Sequence, residues 1–177
     1  MNARLQTIDS TPDFRVKTTL GVAVIALIIL TPFSINNFIQ GRLILGIGSL
    51  AIVAACAVNA WYCARNRYHP PLAFWGLVPT ISLFLVFALR EQGDIVIFWA
   101  YPSLLGFYFM LPERRAWFAN AIFLGITYPQ AWAVLEPSYL IRFVMTSLAV
   151  SAFSAMFLRV ITRQQDMLAK QATTDPF

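Results

Sequence analysis

Six apolar runs follow one another along this chain with only short polar breaks between them. That succession leaves few folds open. The runs cover about Thr18 to Phe38, Leu43 to Cys63, Leu72 to Leu89, Ile95 to Leu111, Ala116 to Leu135, and the stretch that follows Pro137 as far as Ile161. A helix needs about 20 mostly apolar residues to cross a bilayer core. Inside hydrocarbon its backbone groups must be satisfied within the segment. The expected class is therefore all-α: a polytopic bundle of six transmembrane helices.

The 177 residues are 59% hydrophobic and 12% charged, outside the range of an ordinary soluble domain. No stretch is long and polar enough to make a second, soluble domain. Three parts are expected: a leader over residues 1–17, a transmembrane domain over 18–162, and a linker helix over 163–177. The leader carries Asp9 and Asp13 and precedes too long an apolar run to read as a signal peptide.

Charge sets the orientation. Ten of the Lys and Arg residues fall on one side (Arg4, Arg15, Lys17, Arg65, Arg67, Arg114, Arg115, Arg159, Arg163, Lys170) and three on the other (Arg42, Arg90, Arg142). Positive charge stays inside, which predicts that both termini are cytoplasmic. The net charge of +5 is explained by these segment ends, so nucleic acid is not expected as a partner.

Little in the chain supports catalysis. Its single histidine, His69, and its two cysteines, Cys56 and Cys63, cannot make a metal or haem site or a nucleophilic triad. The Gly46–Ser49 stretch lacks the lysine of a phosphate loop. Glu91, Asp94, Glu113 and Glu136 sit at segment ends, and no carboxylate lies mid-run, which argues against an ion pathway.

One region invites a binding role. Antiparallel fourth and fifth runs bring Trp99 and Tyr101 to the depth of Tyr128, Gln130 and Trp132, with a Tyr-Pro step on each, at Tyr101-Pro102 and Tyr128-Pro129. Arg142 enters the same zone from the sixth run. One reading is an aromatic pocket for a small amphipathic ligand, with Arg142 paired to the ligand's polar group and Gln130, Glu136 or a tyrosine hydroxyl nearby. The other is an aromatic belt at the interface, with Arg142 reaching the headgroups.

The last run leaves the apolar region at Arg159–Arg163 with no Gly or Pro to stop it, so its helix is expected to continue into water. Ser147, Ser151 and Ala155 form a small-residue face on it. Ser154, Leu158, Ile161, Gln165, Leu168 and Ala172 follow at a and d spacing, with Gln165 as a polar a position. That pattern fits a short parallel coiled coil, or a lone amphipathic tail.

The residues LAKQATTDPF resemble the junction before the GGDEF domain of bacterial diguanylate cyclases, where a helix ending L-A-x-x-A-x-x-D is followed by P-L-T-G. Leu168, Ala169, Ala172, Thr174, Asp175 and Pro176 match, and Phe177 stands where Leu is usual. The six runs, with FWAYPSLLGFYFMLPERR in the fourth, are similar to the membrane-associated sensor (MASE-like) regions of such cyclases. The resemblance implies an input domain of the bacterial inner membrane that regulates cyclic-di-GMP synthesis. It also implies a homodimer, since two catalytic domains must meet, with GTP and Mg used only by the catalytic part. The GGDEF motif is absent, so no activity and no cofactor is expected of this chain itself. The alternatives are a ligand-free membrane anchor and dimerisation scaffold, an input domain of a histidine kinase or adenylate cyclase, and a small transporter.

Overall fold

The computed structural model describes residues 11–65 and 69–174. Residues 1–10 of the leader expected over 1–17, and Asp175, Pro176 and Phe177 of the cyclase resemblance, lie outside them, while residues 11–17 belong to the first helix. The described chain is all-helical, with no strand among the described residues. It folds as α1 (Thr11–Ile39), α2 (Leu43–Ala64), α3 (Pro70–Gln92), a 3-10 segment (Gly93–Trp99) continuing into α4 (Ala100–Met110), α5 (Glu113–Val134) and α6 (Pro137–Thr174). Among the described residues four stretches are long and apolar enough to cross a membrane: Val16–Ile39, Leu43–Ala64, Pro70–Met110 and Pro137–Gln165. The third is 41 residues long and contains both α3 and α4, which turn at Gly93 with φ of 73°. α5 is less apolar, with Glu113, Arg114 and Arg115 in its first turn and Asn120 and Gln130 further along.

Turn chemistry explains where the helices end. Gly41 takes a φ of 72°, which suits glycine because it has no Cβ, and the chain reverses between α1 and α2. The amide of Arg42 closes that turn on the Asn37 carbonyl at 2.9 Å. Pro112 caps the start of α5, and Pro137 occupies the first position of α6, where its missing N–H is not needed. Pro129 lies inside α5 without ending it, and the helix runs on to Val134. One expectation needs correction: the fourth run is not one α-helix, because its first half, Gly93–Trp99, is wound as a 3-10 helix.

Contacts at the two ends define alternating passes. At one end, Thr18 Oγ1 donates to the Phe109 carbonyl at 3.1 Å, and Arg159 Nε donates to Glu113 at 2.6 Å. At the other, Arg90 Nε donates to Gln130 Oε1 at 3.0 Å, and Gln92 reaches Asn37 at 3.5 Å. α1 and α2 form the closest antiparallel pair, crossed by a 2.8 Å bond from Ser34 Oγ to the Gly46 carbonyl. α4 lies at the centre and touches α1, α3, α5 and α6. Its Leu104, Phe107 and Tyr108 are buried, together with Phe123 of α5, Phe143 of α6 and Leu85 of α3. The outward faces are apolar, with Ile28 on α1, Ile47 on α2, Trp75 on α3, Phe118 on α5 and Phe153 on α6 all exposed. A continuous apolar exterior of this kind suits a hydrocarbon solvent and not water.

Close approach in the bundle depends on small residues. A Cβ built on Gly48 would lie 2.8 Å from the buried Phe84 ring of α3, whereas one on Gly125 would meet nothing within 4 Å. Gly48→Leu should therefore lower stability by about 1–3 kcal/mol through overpacking. Gly125→Ala should be neutral, or stabilising by up to about 1 kcal/mol through helix propensity. Thermal unfolding in micelles, followed by circular dichroism, checks both.

Candidate functional site

The six residues expected to form an outer pocket do not converge. Trp99 turns toward α1 and packs on Phe33, with ring centroids 4.9 Å apart. Tyr101 turns toward α6 and packs on Phe143 at 6.3 Å. Tyr128 and Trp132, one turn apart on α5, lie against each other at 6.3 Å, and both are exposed. Gln130 accepts its hydrogen bond from Arg90, not from Arg142. Arg142 is exposed on α6, with no hydrogen-bond or ion-pair partner among the described residues. The reason is rotational. Residues at one depth on neighbouring helices meet only if they also share a facing stripe, and depth alone was legible in the spacing.

The α6 residues divide into two groups. Ser147, Ser151, Ala155 and Leu158 are buried against this chain's own helices, on the stripe that also carries Phe143. Their small side chains let α6 lie close to α4 and α5, and this intramolecular packing occupies the face considered for a seam between chains. Ile161 and Gln165 are half-buried and Leu168 is exposed. Ala172 lies within the helix but outside the residues whose side chains are described.

Two features were not anticipated. The first is a set of buried polar groups. Asn59 and Asn120 are each 2% exposed; Asn120 lies beside the buried Tyr108 hydroxyl, and the Asn59 amide has no hydrogen-bond partner among the described residues. A lone Asn inside an apolar run was the available signal, since such residues join helices in lipid by hydrogen bonding. The second is an apolar cavity of about 280 Å³ between α1 and α4, backed by α2 and α3. Ile25 and Leu30 line it from α1, Cys56 from α2, Phe84 from α3, and Pro102 and Gly106 from α4. Of the six expected site residues, only Trp99 borders it. It could not be read from the sequence because it arises where α1 meets α4, elements some 80 residues apart in the chain.

The described residues contain no cluster of three or more His, Cys, Asp or Glu side chains that would hold a metal ion. Cys56 and Cys63 are both free and buried, consistent with their reading as small apolar residues. Comparison with known proteins returns no family model, no curated relative and no solved structure that matches this chain.

The separate positions of Arg142 and Gln130 give a direct test. Gln130→Ala should cost about 0.5–1.5 kcal/mol by removing the Arg90 bond. Arg142→Ala should change stability by no more than about 0.5 kcal/mol. A double-mutant cycle in micelles should return no coupling between residues 130 and 142, and measurable coupling between 90 and 130.

Proposed function

We propose that this chain is a six-pass input domain of a bacterial inner-membrane signalling protein, with both ends cytoplasmic, and that it controls an attached diguanylate cyclase. The observation that carries the proposal is the continuity of α6. It is one helix of 38 residues, with no proline after the first position and no glycine anywhere. At 1.5 Å per residue it is about 57 Å long, roughly twice the hydrocarbon thickness of a bilayer. No described side chain beyond Leu158 is buried, so the helix leaves the bundle there and carries its rotation and tilt onward. The resemblance of Leu168, Ala169, Ala172, Thr174, Asp175 and Pro176 to the pre-GGDEF junction supports a cyclase as the receiver. The ten-to-three charge distribution supports the cytoplasmic assignment.

Signalling in this reading is a change in how α6 sits on α4 and α5. The exit point is marked by the Arg159–Glu113 ion pair, which ties the departing helix to the first turn of α5. Both side chains are solvated, so the pair adds little stability, within about 1 kcal/mol. Its effect is on position: it holds one azimuth of α6 at the level where the linker begins. Two copies then pair through the projecting segment, with Ile161, Gln165 and Leu168 in the a and d positions, and bring two catalytic domains together. The small-residue stripe above that level is committed to the monomer. GTP and Mg belong to the attached domain.

The second reading, a ligand-free anchor and dimerisation scaffold, is favoured by one observation: the outer aromatic and polar residues do not form a pocket. Insertions after Gln164 in the full-length protein separate the two. Two added residues rotate the linker by about 200°, while seven restore its phase to within about 20°. A transmitting helix predicts cyclic-di-GMP output that changes severalfold with the two-residue insertion and returns with the seven-residue one. Equal output from all insertions would leave the scaffold. Glu113→Gln should likewise shift basal output while lowering stability by less than about 1 kcal/mol.

A further inference from the structure

The cavity between α1 and α4 has the dimensions and chemistry of a site for a hydrocarbon chain. It extends along α4 from Trp99 to Met110, about 17 Å of helix. A volume of about 280 Å³ spread over that length is narrow, the width of one chain and not of a ring system. Its lining is almost wholly apolar. The hydroxyl that borders it, on Ser103, already donates to the Trp99 carbonyl at 2.8 Å. A polar guest would lose its hydration there and gain nothing in return.

Access is from the side. Ile25 and Ile29 on α1, and Pro102 and Leu105 on α4, line the cavity and are also exposed on the apolar exterior. The opening therefore faces the bilayer and not the water. The space itself is made by Gly106, where a Cβ would meet nothing within 4 Å. Unfilled apolar space forfeits dispersion contacts, and the surrounding solvent is a reservoir of chains that can restore them. One end of the cavity lies at Phe109 and Met110, and the Phe109 carbonyl accepts a hydrogen bond from Thr18. The residue before Thr18, Lys17, is exposed and puts a cation near that end, on the side of the bundle with most of the positive charge.

We propose that this groove is a lipid site: one acyl chain of an anionic phospholipid lodges between α1 and α4, with the phosphate beside Lys17. The link to signalling rests on the reading above. α4 forms one wall of the groove and is also the main neighbour of α6, so a seated chain biases how α6 packs.

The test uses the whole chain in nanodiscs of phosphatidylcholine containing a trace of phosphatidylglycerol with a diazirine on its acyl chain. Cross-linked peptides are mapped by mass spectrometry. The site predicts labelling of residues 22–30 and 102–110 at least about tenfold above the exposed Phe153–Phe157 face, equivalent to about 1.4 kcal/mol of preference. Unlabelled phosphatidylglycerol should compete, and added phosphatidylcholine should not. Gly106→Phe, which fills the groove, should abolish this labelling while leaving the α6 face labelled. Where that variant does not fold, Ile29→Trp on the half-exposed wall makes the same test. Lys17→Gln should keep the groove labelled but remove the preference for the anionic head. Uniform labelling of all faces, or labelling that survives Gly106→Phe, overturns the site. Competition by phosphatidylcholine as strong as by phosphatidylglycerol overturns the anionic assignment. Labelling that follows these predictions, with cyclase output unmoved by Gly106→Phe in the full-length protein, upholds the site and overturns its role in signalling.

Discussion

The position of α4 at the centre of the bundle is the arrangement on which the other helices depend. In an apolar solvent the gain from hiding apolar surface is small, so association rests on close packing and on polar groups that find partners. α4 meets both needs. Phe107 stacks edge-on to Phe123 at 5.7 Å, and Tyr101 reaches Phe143, so one short helix holds α5 and α6 through aromatic contacts. Its last turn offers the Phe109 carbonyl to Thr18 and so fixes α1. The charged cross-bundle bonds, Arg90 to Gln130 and Arg159 to Glu113, lie at the ends, where charges are solvated and cost little to place. The interior is thus set mostly by shape, with the buried Ser34 bond between α1 and α2 added to it, and the ends by charge.

The fold class and much of the segmentation were legible because they are local. Apolar runs of bilayer length, Gly41 in a short polar break, and prolines at 112 and 137 are properties of neighbouring residues, and the helix boundaries follow them closely. The uninterrupted final helix was legible for the same reason, since nothing between Ser138 and Thr174 can stop it. What was not legible depends on rotation about each helix axis. Trp99, Tyr101, Tyr128 and Arg142 share a depth, yet Trp99 faces α1, Tyr101 faces α6, and Tyr128 and Arg142 face the exterior, so depth alone implied a pocket that the facing stripes do not form. The small residues of α6 illustrate the same point. Ser147, Ser151 and Ala155 mark a close contact, but spacing does not say whether the contact is with the chain's own helices or another copy's.

The groove and the exit helix lie on opposite sides of α4, and this gives the bundle a simple mechanical layout. Whatever occupies the space beside Gly106 presses on α4 from the α1 side, and α6 leans on the other. The buried amides of Asn59 and Asn120 add to this picture. A polar group in a packed apolar interior is satisfied in some arrangements and not in others, so it makes the energy of the bundle sensitive to small helix displacements. A core of pure hydrocarbon would be more forgiving and less discriminating.

The 3-10 winding of Gly93–Trp99 has a consequence for length. A 3-10 helix rises about 2.0 Å per residue against 1.5 Å for an α-helix. The Gly93–Met110 stretch contains only eleven α-helical residues, yet with the stretched seven-residue segment it extends to about 30 Å. Rewound as α-helix throughout, the same residues would fall a few ångströms short. Since α4 is the helix the others hold on to, the reach of the bundle's centre is set by how tightly seven residues are coiled.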